Sequence, residues 1–415
     1  MEHNFIRNRD IVMFSFQPWD TEIGSNFKDM AIELARYNRV LFVNRALDRS
    51  YYIKHRSDDK VKTRLASIRK GIKELEQIQP GLWIQNPRVI VESINGIPMH
   101  RLHDLLNKMN GKRLAREINK AIETLQFKDV ILINDNDFIR GFHLPEMIPA
   151  CRQHIFYLRD YMLGVPFFFR HGPRHESGII KKANLVAANS AYLAAYARKL
   201  NPNSVDIGQG CDLTQFLVSG LPLPADLQNI PRPIIGYTGN ISAWRIDAGV
   251  IQHIAAALPQ YSVVLVGPVD KEFNKAELEK HPNIHFLGSR PPDQLAQYVY
   301  HFDICINPQI LNDITRGNYP RKVDEYLAMG KPVVATATEA MKMFEPYTFL
   351  CSNGDEYVSS IRSIVEQPER HNSARVQEAR KQFALSHTWE NSIGLMGDAF
   401  FKNIQTGQHE RYGQQ

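Results

Sequence analysis

The chain is short of cysteine and lacks any long apolar run. Only four cysteines occur in 415 residues, Cys151, Cys211, Cys305 and Cys351, and no two form a CxxC pair. That argues against a disulfide framework or a cysteine-based zinc site, and it fits a reducing compartment. No apolar run approaches the ~18 residues needed to span a bilayer. Near the start, the six-residue run Ile11–Phe16 is too short for the apolar core of a signal peptide. The cytoplasm is the expected location. Glycine (24) and proline (23) are scattered, which excludes a collagen-like or long disordered tract. At roughly 100–200 residues per domain, the length fits two or three domains.

What the chain has in plenty is basic charge, unevenly placed. Residues 1–200 carry a net +11 and residues 201–415 a net −5. Such asymmetry points to two domains with different partners. The excess gathers in Lys54–Lys73 and Arg101–Lys120. In the second stretch Leu102, Leu105, Leu106, Met109, Leu114, Ile118, Ile122 and Leu125 fall largely at helical spacing, opposite a basic face. One reading is a solvated helix packed on a sheet. The other is a surface attracted to anionic lipid head groups or an acidic acceptor. No RNA- or DNA-binding motif is present, so nucleic acid is not an expected partner.

Short apolar runs alternate with helical stretches. Ile11–Phe16, Val40–Val43, Val130–Ile133, His154–Leu158 and Leu185–Ala188 read as strands. The pattern breaks in the Pro-rich stretch 212–232, a linker signal. It restarts at Ile234–Tyr237, Ser262–Val266, His285–Leu287, Ile304–Asn307 and Val333–Ala335. Strand alternating with helix predicts α/β units with doubly wound parallel sheets.

Open α/β sheets bind ligands beyond the carboxyl ends of their strands. The loop after Ile234–Tyr237 holds Gly239 and Asn240, followed by Trp244 and Arg245. It reads as a tight strand-to-helix turn or as a phosphate cradle with a clamping arginine. The strongest local signal runs from Asn318 to Thr336. Pro320 suits the first helical position and Gly330 the cap. Lys322 and Glu325 share one face of that short helix. A cation near a helix N-terminus is disfavoured, and an anionic ligand there reverses the penalty. Glu325 can accept both hydroxyls of a ribose diol. The plainer alternative is a Lys–Glu surface pair.

Residues 234–336 resemble the second domain of GT-B glycosyltransferases, closest to the retaining family-four group of capsule, exopolysaccharide and teichuronic acid synthesis. The matching stretches are Ile235–Gly239, Val264–Pro268, Ile284–Gly288, Phe302–Pro308 and Pro320–Ala335. The resemblance implies two Rossmann-like domains facing a central cleft. They would comprise an acceptor domain at 1–216, a linker at 217–232 and a donor domain at 233–386. Residues 387–415 would follow as a helix crossing back to the first domain, with a polar tail. It implies a nucleotide-sugar co-substrate, with Arg245 and Lys322 holding the diphosphate as catalytic residues and Glu325 binding the ribose. Gly239, Asn240, Arg290, Thr315, Arg316, Gly317 and Asn318 complete the expected donor site. No metal or other cofactor is expected, because Arg and Lys can supply the countercharge.

The sequence departs from the family pattern in two places. Gly317 stands where the family often has the first of two glutamates, and Asn240 stands where it has arginine. On the acceptor side Gly24, Asp135 and Asp160 are candidates, each also readable as a cap or loop residue. His143, His154, His171 and His175 show no metal-ligand spacing and read as core or surface histidines. The expected partners are a nucleotide-sugar, a glycan or lipid-linked acceptor, and an anionic membrane met peripherally by the basic half. The alternatives are a nucleotide-sugar epimerase or phosphorylase of the same fold, or a non-catalytic nucleotide-sugar-binding module.

Overall fold

Alternating strands and helices resolve into two parallel sheets, each the middle layer of its own unit. The computed structural model describes residues 3–20, 25–71 and 73–412. One unit comprises Met1–Gly210 with Trp389–Gln415, and the other Cys211–Thr388.

The first unit holds β1 (Asp10–Phe14), β2 (Arg39–Val43), β3 (Leu47–Asp48), β4 (Leu75–Gln79), β5 (Leu82–Gln85), β6 (Ile90–Val91), β7 (Val130–Asp135), β8 (Cys151–Leu158), β9 (Leu185–Ala188) and β10 (Ser204–Asp206). Eight of them form one sheet in the order β10-β9-β8-β7-β1-β2-β5-β4, while β3 pairs with β6. Only β4 runs antiparallel to its neighbour. Strand residues alternate between faces. Ile11, Met13, Val40, Phe42, Ile131 and Ile133 point to one core, under the Asn26–Ala35 helix and the Trp389–Tyr412 helix. Val12, Phe14, Leu41, Val43 and Leu132 point to the other, under the His100–Leu125 helix. Both faces are covered, which is why these strands read as continuous apolar runs.

The second unit holds β11 (Ile234–Thr238), β12 (Ser262–Val266), β13 (Ile284–Gly288), β14 (Ile304–Asn307), β15 (Val333–Thr336) and β16 (Phe349–Cys351). They form an all-parallel sheet in the order β13-β12-β11-β14-β15-β16. Strand order reverses between β12 and β14 around β11, which creates the switch point where such sheets bind ligands.

Two sequence readings shift. The sequence places the end of the first domain at 216 and a linker at 217–232. Instead, Cys211, Leu213, Phe216 and Leu227 enter the second unit's core through short 3-10 turns at Thr214–Phe216 and Ala225–Leu227. In the His100–Leu125 helix the buried stripe is His103, Asn107, Asn110, Gly111, Leu114, Ala115, Ile118, Ala121 and Ile122. Leu102 and Leu105 are exposed. The first turns bury polar side chains because loop carbonyls meet them: Asn107 donates to Ile139 O and Asn110 to Glu92 O, both at 2.9 Å. A buried polar group so satisfied costs little.

Candidate active site

Three adjacent strands of the second sheet end at glycines with positive φ: Gly239 after β11 (+128°), Gly267 after β12 (+153°) and Gly288 closing β13 (+75°). The Gly239 N–H donates to Val266 O and the Gly267 N–H to Gly288 O, each at 2.9 Å. A Cβ on Gly267 would lie 1.9 Å from the Gly239 carbonyl oxygen. Only glycine permits that approach, and the result is a shelf of bare backbone.

The Arg321–Ala328 helix stands over this shelf. Val323, Tyr326 and Leu327 are buried beneath it. Gly330, at φ +72°, ends it by donating to Leu327 O at 2.8 Å. The Tyr326 hydroxyl accepts the Thr238 N–H at 2.8 Å and so pins the helix to the end of β11. That register puts Lys322 above Gly239, where an added Cβ would lie 2.8 Å from Nζ. Lys322 Nζ donates to the Tyr237 hydroxyl and sits 3.9 Å from that ring's centroid. Tyr237 in turn donates to Asn240 O at 3.0 Å. Asn240 itself is exposed.

Burial, then the nearby charge of Arg245, bring Lys322 down to about 7, against a pull upward from Glu325. Arg245 lies 4.4 Å over the Trp244 ring. Its loop is anchored by the Ile310 N–H on Arg245 O and by Asn312 Nδ2 on Trp244 O, both at 2.9 Å. The Glu325 side chain is 17% exposed and lies 3.6 Å from Arg321 Nε. Burial raises its carboxyl, opposed by Arg321 and Lys322. Two cations thus share a partly dry corner, and Lys322 also sits at the positive end of its helix. Desolvation, like charge and helix dipole all oppose its ammonium form, and a multiply charged anion would reverse all three.

The other expected donor residues divide. Thr315 is turned inward: its hydroxyl accepts the Asn312 N–H at 3.1 Å and donates to Ile310 O, closing a capping box on the Asp313–Arg316 turn. Arg316 is exposed and Gly317 buried, while the Asn318 N–H donates to Thr315 O at 3.3 Å. Arg290 is committed elsewhere. It donates to Asp226 at 2.6 Å and Tyr298 at 2.8 Å, fastening the 225–227 turn. Sequence reasoning gave no role to Tyr237, Tyr326 or Asp324. Asp324, fully buried, accepts from Tyr319 Oη at 2.8 Å and lies 2.7 Å from His387 Nδ1 and 3.4 Å from Cys211 Sγ. No spacing rule links those three partners, since they come from distant parts of the sequence.

In the first unit Gly24 lies outside the described residues. Asp135, at the end of β7, is fully buried 2.8 Å from Arg159 and accepts the Phe16 N–H at 3.2 Å. Burial pushes it up to about 6 against the pull of Arg159. Its carboxyl group is enclosed. The half-buried Asp160 follows β8, and its carbonyl accepts Asn136 Nδ2 at 3.0 Å.

Both Rossmann-like units align along nearly their whole length with solved glycosyltransferases of the GT-B fold, so the fold is GT-B. Residues 232–367 match the family model described as Glycosyl transferases group 1. A curated relative, the putative teichuronic acid biosynthesis glycosyltransferase TuaH of Bacillus subtilis (strain 168), is 27% identical over 222 residues, 52% of this chain and 56% of that protein. The chain thus spans about half the length of the curated relative it matches. Anabaena HepE, solved in complex with UDP, aligns over 97% of this chain and 100% of its own at 17% identity, with a TM-score of 0.63. Sucrose-phosphate synthase from Thermosynechococcus elongatus aligns over 96% and 100% at 15% identity, with a TM-score of 0.65.

Proposed function

We propose that the protein moves a sugar from a nucleoside diphosphate sugar to a polysaccharide or lipid-linked acceptor. The observation that carries this reading is the Lys322–Arg245 pair over the glycine shelf, with Glu325 beside it. In that placement the two cations take the diphosphate and Glu325 accepts the ribose hydroxyls. As the sugar–phosphate bond breaks, charge grows on the leaving phosphate, and fixed cations there stabilise the transition state. The acceptor hydroxyl forms the new bond to the sugar's anomeric carbon. Its proton passes to the departing phosphate oxygen, so the reaction retains configuration without a separate base. Lys322 and Arg245 supply the countercharge, so transfer proceeds without a metal in the donor site.

Finer features have their own support. HepE was solved with UDP and with UDP-glucose, which favours a uridine donor. TuaH's description favours a cell-surface glycan acceptor. Among the described residues, no helix is long and apolar enough to cross a membrane. Met99, Phe167 and Phe169 are nevertheless 60%, 64% and 59% exposed, and Arg170 lies close by. That mixture suits peripheral contact with an anionic bilayer.

The test is release of nucleoside diphosphate from a panel of nucleotide-sugars, with and without glycan or lipid-linked acceptors. Acceptor-dependent release, lost in Glu325→Ala and Lys322→Ala with the fold intact, is the expected result. Full transfer in either variant overturns the site. Release of an altered sugar without any acceptor overturns the transferase reading in favour of an epimerase.

A further inference from the structure

The first turn of the His100–Leu125 helix meets the start of the Gly172–Lys182 helix, and four histidines gather there. His103 and His175 are 0% and 2% exposed. The His103 Nδ1 and His175 Nε2 atoms lie 3.3 Å apart. Asp104 Oδ1 lies 3.4 Å from each of them. Three ligand atoms therefore form a nearly equilateral triangle.

Its edges match those of a tetrahedral ion. A tetrahedral ion with bonds of about 2.0–2.1 Å sets its ligand atoms about 3.3–3.4 Å apart. An octahedral ion with the same bond lengths would set neighbouring ligands about 2.8–3.0 Å apart. As hydrogen bonds these contacts are poor, because a charge-assisted N–H···O bond closes to about 2.7–2.9 Å. The outer nitrogens, His103 Nε2 and His175 Nδ1, are buried without a hydrogen-bond partner. A cation held by the two inner nitrogens and the carboxylate oxygen would place each ring's proton on its outer nitrogen.

We infer that His103, His175 and Asp104 form a tetrahedral zinc site that staples the starts of these two helices, with the fourth position left to water. The surroundings hold the ligands in place. Arg174 donates to the other oxygen of Asp104. His171 stacks on His103 with centroids 3.7 Å apart, and its own Nε2 lies 2.8 Å from Ile97 O. Asp104 is 41% exposed, which gives the ion an entry side. Among the described residues no other group of three such ligands meets. The site lies within the first unit and does not depend on the donor-site reading.

The test uses untagged full-length protein stripped with a chelator, then titrated with zinc against a chromophoric competitor. One zinc per chain is expected, and cobalt in its place should give the intense visible bands of a tetrahedral ion. His175→Gln and Asp104→Asn should each weaken zinc at least about tenfold, while His143→Gln should leave it unchanged. Asp104→Asn, at a part-exposed side chain, keeps the test independent of any folding defect in the buried histidine variant. Absence of stoichiometric zinc, unchanged affinity in both variants, or an octahedral cobalt spectrum overturns the inference.

Discussion

The depressed ammonium of Lys322 makes donor binding depend on pH in a direction that can be worked out. In the free protein it loses its proton as pH rises through about 7. A bound diphosphate supplies the missing countercharge and returns the group toward its ordinary range, so binding takes up a proton above pH 7. Affinity is therefore full below pH 7 and lost above it, by roughly tenfold per pH unit. Between pH 6.5 and 8.5 the dissociation constant should rise about 25-fold, or about 1.9 kcal/mol. The ligand should be a nucleoside diphosphate sugar, because a terminal phosphate titrates near ~6 and would mask the effect. Calorimetry at each pH, in two buffers of different ionisation heat, reads both affinity and proton uptake. Lys322→Arg, charged throughout this range, should give a flat profile. A flat profile in the unmodified protein, or an equal slope in Lys322→Arg, refutes the reasoning.

Four further outcomes are expected. Lys322→Met should lose donor binding yet unfold at higher denaturant, by about 1–3 kcal/mol, since an ill-placed charge is gone. The folded protein binds fewer protons at Lys322 than the unfolded chain does from pH 7 upward. The unmodified protein should therefore gain stability relative to Lys322→Met between pH 7 and 9. Glu325→Ala should weaken the ribonucleotide donor about 10–100-fold and bring it level with its 2′-deoxy analogue, read by the same calorimetry. Gly267→Ala should cost more than about 3 kcal/mol in urea unfolding; Gly220→Ala, at φ +72° with nothing near its Cβ, should cost only about 1 kcal/mol.

The sheets were legible because strands covered on both faces must be apolar throughout. Val130–Ile133 and Ser262–Val266 announce themselves for that reason. The edge strand Leu75–Gln79 was not legible: its pattern LEQIQ is exposed at three central positions. The Lys322–Glu325 helix could be read from Pro320 and Gly330, which mark its ends by backbone chemistry alone. Arg290 could not be placed, because its pairing with Asp226 bridges 64 residues. The histidine group was hidden for the same reason: His103 and His175 are 72 residues apart. In the His100–Leu125 helix Leu114, Ile118 and Ile122 face inward as their spacing implies, and only Leu102 and Leu105 in the first turns face solvent. Local sequence encodes periodicity and caps, whereas side chains from separate elements meet only after packing.

The Trp389–Tyr412 helix completes the core of the first unit, although the whole second unit intervenes in the sequence. A ribosome adding about 5–20 residues per second needs roughly 10 to 35 s to cross the stretch from Cys211 to Thr388. Throughout that interval Phe27, Met30 and Leu34 of the nascent first unit wait without Trp389, Ile393, Met396 and Phe400 against them. The half synthesised first therefore cannot close its core until the last stretch of the chain has been made.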